Sequence, residues 1–397
     1  MRTYFLYLSL LFSITLFVFD LSAQHQPYPV HETKSVIMQD PYLIDPSETG
    51  MTVAWKTDTP AHSKVVYGKV GEDLNLTAEN QEHGLLKVGT MHTVRIENLE
   101  PGTTYQYKVM SRRVVKLNPY WPAMGEWVES EVYNFTTFDK NKSEFTFSAI
   151  TDIHESNQRI NAFMDLIDWE KTDFLVHTGD AYHYLSSEDQ VFGSFLSSIA
   201  KGLKQEKPLV YVRGNHELRG PFARNLFDYI PIHEGRYYYA RNHGPAHFII
   251  LDSGEDKPDS TNVYAGLNRL KEYREIEYEW FKNHIKTDES AQNSPFRIIL
   301  MHDPRWGWVD EENDKWTEVA NDGKINLMIS GHWHRFRRVN PGEGDGNQYP
   351  ILVLGQQEIA LVNVNEERIH VEVRNTDDEL VDEFEIDPNN KITDLKD

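Results

Sequence analysis

Five apolar runs beyond residue 144 each end in side chains of the kind that bind metals. In VYVRGNHELRG, Val210–Gly220, an apolar strand stops at a polar cluster that begins with Asn215 and His216. A core could not satisfy such a cluster, because a polar group buried without a partner is costly. In open α/β sheets the carboxyl ends of the strands converge on one crevice. The pattern therefore predicts an α/β domain in which these side chains meet at one site.

The other four runs supply matching groups. FTFSAIT runs into Asp152 and His154, and DFLVHTG runs into Asp180. FRIILM and INLMISG lead to three more histidines, which are His302, His332 and His334. Carboxylates and imidazoles together suit Mn, Fe or Zn better than Ca or Mg. A single ion takes roughly four to six ligands. A set of this size, with a carboxylate able to bridge, therefore predicts two transition-metal ions.

The motifs differ in how specific they are. The D-x-H pair and Gly179-Asp180, each taken alone, are as typical of turns and caps as of metal ligands. GNHE and GHWH are more specific, because imidazoles flanked by glycine at a strand end have little structural purpose. All five motifs in order, each after a strand, favour a metal site over chance.

Residues 36–138 show a different, all-β pattern. Apolar and polar residues alternate in MTVAWKT, HTVRIENL and TYQYKVM, and Pro101-Gly102 marks a turn between two of these runs. Period-two alternation with such turns predicts a β-sandwich. The polar stretch DKNKSE, Asp139–Glu144, is the predicted linker to the second domain.

Residues 145–388 alternate strand and helix patterns, which predicts mixed β-sheets flanked by helices. Helical spacing is found in RINAFMDLIDW, VFGSFLSSIAKGL and EYREIEYEWFKNHI. The last stretch, YPILVLGQQEIALVNVNEERIHVEVRN, is typical of hairpin strands that complete a sheet.

Residues 1–23 predict a signal peptide. Arg2 precedes a hydrophobic run, Tyr4–Phe19, and LSAQ offers a cleavage site between Ala23 and Gln24. The run is marginal in length for a membrane span. We therefore expect an exported chain, periplasmic or secreted, without a stable membrane anchor. The chain has no cysteine, so its fold after export would not depend on disulfides.

The formal net charge of -22 disfavours a nucleic-acid partner, because such a chain repels a phosphate backbone. The densest basic group is Arg335, Arg337 and Arg338, which does not exceed a solvated surface. We therefore expect no nucleic acid among its partners.

The ordered motifs D-x-H, G-D, G-N-H-E, a lone histidine after a strand, and G-H-x-H resemble those of calcineurin-like metallophosphoesterases. The stretch ENLEPGTTYQYKV resembles the tyrosine-corner region of fibronectin type III domains, with Pro101, Gly102 and Tyr105 in the expected order. Together these features resemble the purple acid phosphatase branch. The resemblance implies an α/β metallophosphoesterase sandwich preceded by an all-β fibronectin III-like sandwich.

The resemblance also implies a role for each of the metal-binding side chains in these motifs. It assigns one metal ion to Asp152, His154 and His334, the other ion to Asn215, His302 and His332, and a bridging position to Asp180. His216 would stabilise the phosphoryl group or protonate the leaving oxygen. The implied activity is hydrolysis of a small phosphate monoester by a metal-bridging hydroxide. A phosphodiesterase or nucleotidase on the same core is the alternative, followed by a catalytically silent binding protein.

Two positions depart from the purple acid phosphatase pattern, which has D-x-G in its first motif and a tyrosine three residues after the bridging aspartate. His154 replaces that glycine and His183 replaces that tyrosine. We therefore expect a histidine-ligated first metal and no strong tyrosinate-to-iron absorption. The identity of the metals stays open among Fe, Mn and Zn.

Several neighbouring residues have two readings. His183 is either a substrate contact or a supporting residue, and Arg219 either binds a phosphate oxygen or forms a structural ion pair. Glu217 is expected to orient a ligating imidazole. Three residues after His302 either line the substrate site or pack against the loop that follows GHWH. They are Arg305, Trp306 and Trp308.

Overall fold

The computed structural model describes residues 30–31, 37–307, 313–344 and 346–396. The predicted signal peptide and Trp308 lie outside these ranges. Within the described ranges, no helix combines the length and the apolar character needed to cross a membrane.

The N-terminal part of the chain, up to residue 138, consists of strands. They are β1 Val30–His31, β2 Ile37–Ile44, β3 Met51–Lys69, β4 Leu76–Ala78, β5 Gln81–Glu82, β6 Leu85–Leu86, β7 Val88–Ile96, β8 Thr104–Lys116, β9 Ala123–Glu129 and β10 Tyr133–Thr136. Strand β3 pairs with β2 and β7 along its first half and with β8 along its second half. One strand therefore links the two halves of this β-rich part.

The predicted alternation places the core of the N-terminal part correctly. Trp55, Val94, Tyr107 and Phe135 are buried in one apolar cluster. The backbone N–H of Glu100 donates a hydrogen bond of 3.0 Å to the Tyr105 hydroxyl, as expected for a tyrosine corner.

The second part of the chain, from residue 144, mixes strands and helices. Its strands are β11 Glu144–Ile150, β12 Thr172–His177, β13 Pro208–Tyr211, β14 Tyr239–His243, β15 Ala246–Ile250, β16 Phe296–Leu300, β17 Leu327–Ser330, β18 Arg337–Val339, β19 Ile351–Val353, β20 Glu358–Asn365, β21 Ile369–Asn375, β22 Leu380–Ile386 and β23 Ile392–Asp394. Its helices are α1 Asn157–Leu166, α2 Glu188–Val191, α3 Ser197–Gly202, α4 Leu226–Tyr229, α5 Leu270–Thr287, α6 Glu289–Asn293 and α7 Asn313–Asp322. The three predicted helices correspond to α1, to α2 and α3 joined by a π-helical turn at Phe192–Leu196, and to α5.

These strands form two sheets that pack on each other. One sheet runs in the order β13-β12-β11-β20-β21-β22-β23, and the other runs β14-β15-β16-β17-β19-β18. Phe147 of the first sheet meets Phe248 of the second edge to face, with ring centroids 5.4 Å apart. The predicted fold class, mixed sheets flanked by helices behind a β-rich domain, is confirmed. The exact domain boundaries stay predictions.

The N-terminal part is joined to the second part through its strands as well as through the linker. Strand β2 pairs in parallel with β13, with Leu43 opposite Pro208 and Ile44 opposite Leu209. Strand β13 would otherwise present an unpaired edge, which a soluble protein has to cover. The first sheet is therefore continuous from one part to the other.

Asp45, directly after β2, holds the two parts together through charge. Its carboxylate is fully buried and accepts hydrogen bonds from Arg241 and, at 2.9 Å, from the backbone N–H of His233. Arg95 of the N-terminal part lies 3.2 Å from the same carboxylate. Arg241 also donates to the Pro46 carbonyl at 2.9 Å. One buried carboxylate thus binds arginines from both parts.

We expect Asp45→Asn to lower the free energy of unfolding by about 3 kcal/mol, because it removes the buried negative charge that Arg95 and Arg241 share. Among the described residues, Arg241 would keep only its pair with Glu234, at 2.6 Å. Chemical denaturation followed by tryptophan fluorescence would measure the loss. Asp73→Asn, at an exposed position of the same part, is the matched control and should change little. Equal effects of the two variants would contradict a special role for Asp45.

Candidate metal centre

The seven predicted ligands come together where the strands of both sheets end. The loops after β11, β12 and β13 bring donors from the first sheet, and the loops after β16 and β17 bring donors from the second. The donors are Asp152, His154, Asp180, Asn215, His302, His332 and His334. The convergence expected from the sequence is therefore present in the geometry, while the ligand roles stay predictions.

Four of these residues form a first group of donors whose ligand atoms lie within 4.8 Å of one another. His334 Nε2 lies 3.1 Å from Asp152 Oδ1 and 3.1 Å from His154 Nε2. His154 Nε2 lies 3.9 Å from Asp180 Oδ2. The group therefore offers two imidazoles and two carboxylates to one point.

A second group shares Asp180 with the first. His302 Nε2 lies 3.1 Å from Asp180 Oδ2 and 3.1 Å from Asn215 Oδ1. His332 Nδ1 lies 3.2 Å from the same amide oxygen of Asn215. Asp180 therefore stands between the two groups, as a bridging carboxylate would.

The two carboxylates are arranged as metal ligands. Asp152 Oδ2 accepts hydrogen bonds from the backbone N–H of His332 at 2.8 Å and from the Thr151 hydroxyl at 2.9 Å. Asp180 Oδ1 accepts a hydrogen bond from the backbone N–H of His216 at 2.9 Å. The other oxygens, Asp152 Oδ1 and Asp180 Oδ2, are buried and have no hydrogen-bond partner among the described residues. Orphaned buried oxygens next to imidazole nitrogens fit metal binding.

The charges of this centre are strongly coupled. Burial raises the pKa of the Asp152 carboxyl, but the neighbouring imidazoles of His154 and His334 outweigh burial, and the pKa lies below its usual range. Burial lowers the pKa of His302, but the Asp180 carboxylate outweighs burial and raises the pKa to about 10. The site therefore attracts positive charge, and a metal ion at His302 would displace a proton.

Outer hydrogen bonds orient two of the histidines. His302 Nδ1 lies 2.7 Å from the Thr178 carbonyl, and His154 Nδ1 lies 3.2 Å from the Tyr182 carbonyl. A carbonyl can only accept, so each Nδ1 carries a proton and each Nε2 is the nitrogen that faces the centre and is available to a metal ion. Such outer bonds are the usual way in which a protein orients metal-ligating imidazoles.

The backbone at the donors is strained. Five of them adopt positive φ angles, in the left-handed region that non-glycine residues seldom occupy. They are Asp152 at 50°, His154 at 42°, Asp180 at 58°, His332 at 71° and His334 at 56°. Strain of this kind concentrates at functional sites, where the surrounding structure holds it in place.

Two glycines of the motifs are required by space. A Cβ atom at Gly214 would lie 2.2 Å from Asp180 Oδ1, and a Cβ atom at Gly331 would lie 1.9 Å from Thr151 Oγ1 and 2.4 Å from Asp152 Oδ2. The glycines of GNHE and GHWH therefore allow the backbone to pass directly beside the carboxylates.

The expectation for Glu217 is wrong in detail. Among the described residues, its buried carboxylate accepts no hydrogen bond from an imidazole but accepts three from the backbone N–H groups of Asp180, Ala181 and Gly214, at 3.0, 2.6 and 2.9 Å. Burial, followed by the Asp180 charge, raises the pKa of Glu217 to about 7. Glu217 positions the bridging aspartate by bracing two loops.

His216 lies beside the candidate metal centre, and its catalytic role stays a prediction. Its Nδ1 lies 2.7 Å from the His183 carbonyl, which can only accept, so Nε2 faces the centre at 3.8 Å from Asp180 Oδ2. Arg219 donates to that Nε2 at 3.0 Å. The exposed His183 ring stacks on His154 with centroids 4.8 Å apart, so it lies at the rim of the site.

The two readings of Arg219 are separated by its contacts. It forms a bidentate pair with Glu255, at 2.9 and 2.7 Å, and a further contact of 3.0 Å with Asp256. The ion pair is therefore present, and the guanidinium reaches the site through His216. The buried Glu255 was missed by sequence reasoning, because no motif surrounds it in the loop after β15.

The contacts of Trp306 decide an alternative that the sequence left open, and those of Tyr182, the neighbour of His183, bear on the candidate metal ligands. Trp306 is buried and stacks on Trp316 with ring centroids 5.8 Å apart, so it belongs to the core rather than to a substrate wall. Tyr182 is buried and its hydroxyl donates to the Val191 carbonyl at 3.2 Å, away from the donors. The absence of a tyrosinate ligand stays a prediction, which this contact supports.

Comparison with known families decides the type of domain. Residues 145–336 match the calcineurin-like phosphoesterase family, and residues 42–137 match the purple acid phosphatase N-terminal domain. The chain carries a calcineurin-like phosphoesterase domain. It is thereby a metal-dependent phosphoester hydrolase, and the candidate donors occupy the strand ends of this domain. No curated protein matches the chain in sequence.

Solved structures show the same fold. Purple acid phosphatase PPD1 from yellow lupin (Lupinus luteus) seeds superimposes with a TM-score of 0.65 at 15% identity, over 87% of this chain and 74% of that chain. PhoD superimposes with a TM-score of 0.59 at 11% identity, over 90% of this chain and 91% of that chain. At these identities the likeness establishes the fold of the phosphoesterase and of its N-terminal part together.

We expect Gly331→Ala to reduce the metal content of the phosphoesterase although it removes no donor atom. The added Cβ would collide with Thr151 and displace the Asp152 carboxylate. Elemental mass spectrometry of the purified protein would measure the loss. Gly193→Ala, where a Cβ meets nothing within 4 Å, is the control and should keep the wild-type content. Full metal content in Gly331→Ala would show that the carboxylate does not need its observed position.

Proposed function

We propose that this chain is an exported phosphomonoesterase that uses two transition-metal ions. Asp152, His154 and His334 would hold one ion, Asn215, His302 and His332 would hold the other, and Asp180 would bridge them. The observation that carries the proposal is the position of Asp180 between the two groups. Its Oδ2 has no hydrogen-bond partner among the described residues and lies 3.1 Å from His302 Nε2 and 3.9 Å from His154 Nε2. One carboxylate oxygen between two imidazole groups suits a pair of ions roughly 3.5–4 Å apart.

When bound, the ions would supply Lewis acidity, which would activate water for attack on phosphorus and neutralise the phosphoryl oxygens. The side chains do the rest by positioning and by charge. The chain has no cysteine to act as a nucleophile, and none of the motifs places a serine at the donors.

His216 supplies the group beside the leaving oxygen. Its tautomer is set by the Nδ1–H bond to His183, so Nε2 is the atom that faces substrate. In the structure Nε2 accepts from Arg219 and therefore carries a lone pair. To protonate the leaving oxygen, His216 has to gain a proton at Nε2 and release that contact. In its neutral form, the pair of His216 and Arg219 instead stabilises the phosphoryl group electrostatically.

Monoesters are favoured over diesters by the N-terminal match to purple acid phosphatases. Fe, Mn and Zn all suit the mixed imidazole and carboxylate donors. His154 and His183 replace the glycine and the tyrosine of the purple enzymes, so the protein should lack their colour. Export is supported by the hydrophobic run and small-residue site of residues 1–23. Cleavage there would leave a mature chain that begins at Gln24, which its mass would reveal.

We expect about two metal ions per mature chain, together with turnover of 4-nitrophenyl phosphate. His216→Ala should lower kcat by about 10²–10⁴-fold, because it removes the acid or electrostatic group, and should leave the metal content unchanged. Elemental mass spectrometry and the release of 4-nitrophenol measure both quantities.

His83→Ala removes an exposed histidine of the N-terminal part and serves as the control. If the protein hydrolysed bis(4-nitrophenyl) phosphate but not 4-nitrophenyl phosphate, the proposed activity would be that of a phosphodiesterase instead of a monoesterase. A folded protein that retains no metal and stays inactive with added Mn, Zn or Fe would overturn the proposal. Unchanged turnover in His216→Ala would remove that residue from the mechanism.

A further inference from the structure

A groove lies directly beside the proposed reaction centre. It encloses about 560 Å³. The side chains used below are among those that line it, namely Arg219, Arg224, Lys257, Val263, Tyr264 and Leu267. A cavity of this size accommodates a small organic group.

Arg219 connects the groove to the chemistry. Its side chain lines the groove, and its guanidinium donates at 3.0 Å to Nε2 of His216, the atom that faces substrate. Since His216 is proposed to act at the leaving oxygen, the groove begins on the side from which the leaving group departs.

The groove carries a charge opposite to that of the whole chain. Of the residues that the structure describes, three cations and no carboxylate line it, whereas the chain has a formal net charge of -22. Arg219 is offset by the Glu255 pair, and Lys257 Nζ lies 2.5 Å from Asp256. Arg224 is exposed and forms no ion pair with any residue in the described ranges. Its positive charge is therefore open to a ligand.

The rim of the groove is apolar. Val263 and Leu267 are 73% and 70% exposed, and Tyr264 lies between them at the end of the 3₁₀ turn Asn262–Tyr264. Exposed apolar side chains that flank a polar cavity are typical of ligand sites. An aromatic ring and two aliphatic chains suit the flat or aliphatic body of an organic alcohol.

We propose that this groove is a leaving-group subsite, which selects phosphate esters whose apolar or aromatic alcohol carries a second negative charge. The body of the alcohol packs on Val263, Tyr264 and Leu267, and its charge meets Arg224 and Lys257. This inference rests on the proposed phosphomonoesterase function and adds the substrate class to it.

Two substrates that differ by one charge test the subsite. We expect the wild type to hydrolyse 4-carboxyphenyl phosphate with a KM about three- to fivefold below that of phenyl phosphate, as exposed ion pairs allow. In the Arg224→Gln/Lys257→Gln variant this preference should disappear, while the KM for phenyl phosphate stays the same. Lys87→Gln/Lys116→Gln removes the same formal charge from exposed positions of the N-terminal part and should keep the preference.

Equal KM values for the two substrates in the wild type would overturn the subsite, as would an equal loss of preference in the control variant. Hydrolysis of neither substrate would refute the proposed function and leave the subsite to a binding measurement. For that case, calorimetric titration compares 4-carboxybenzylphosphonate with benzylphosphonate. Tighter binding of the carboxylated compound, abolished in Arg224→Gln/Lys257→Gln, would support the subsite. Equal binding of the two would refute it.

Discussion

Two buried carboxylates, those of Asp152 and Asp180, set the condition that the rest of the structure has to meet. In each carboxylate, one oxygen accepts hydrogen bonds from the protein, and the other has no hydrogen-bond partner among the described residues. An uncompensated buried charge is costly, so imidazoles are gathered around both groups. Left-handed backbone, glycines that allow close approach and the brace of Glu217 hold this arrangement. Local strain is tolerated because it keeps the donor atoms aimed at one place.

The N-terminal part acts on this centre through the sheet. Strand β13 leads into Asn215 and His216, and its outer neighbour is β2, a strand of the N-terminal part. The strand that delivers these residues is therefore paired on both sides. Asp45, which binds arginines of both parts, fixes the same junction by charge. The N-terminal part is thus a structural support of the phosphoesterase domain rather than an appended module.

Chemistry and selectivity occupy different kinds of structure in this molecule. The donors stand at strand ends, where two packed sheets fix their distances. The groove beside His216 is lined largely by residues of exposed segments, which can differ in sequence without disturbing a core. Arg219 lies between these regions, because it contacts His216 on one side and Glu255 on the other. A substrate bound in the groove would therefore contact Arg219, which in turn contacts His216 beside the leaving oxygen.

The seven candidate donors could be selected from the sequence because each motif directly follows an apolar run, and strand ends in this kind of sheet converge. Their roles as ligands stay predictions. Sequence reasoning also separated the β-rich part from the mixed part, because the hydrophobic period changes at the linker. It misassigned Glu217, missed Glu255 and missed the pairing of β2 with β13. These features join segments far apart in the chain, and no local pattern reports such contacts.

By itself, the sequence determined which chemical groups stand at which strand ends, since residue type and period are local properties. Only the tertiary structure decided that the donors come from two different sheets, that Asp180 lies between both groups and that Arg219 is held by an ion pair. The physical reason is that distances between donors are set by how the sheets and loops pack, which involves the whole chain at once.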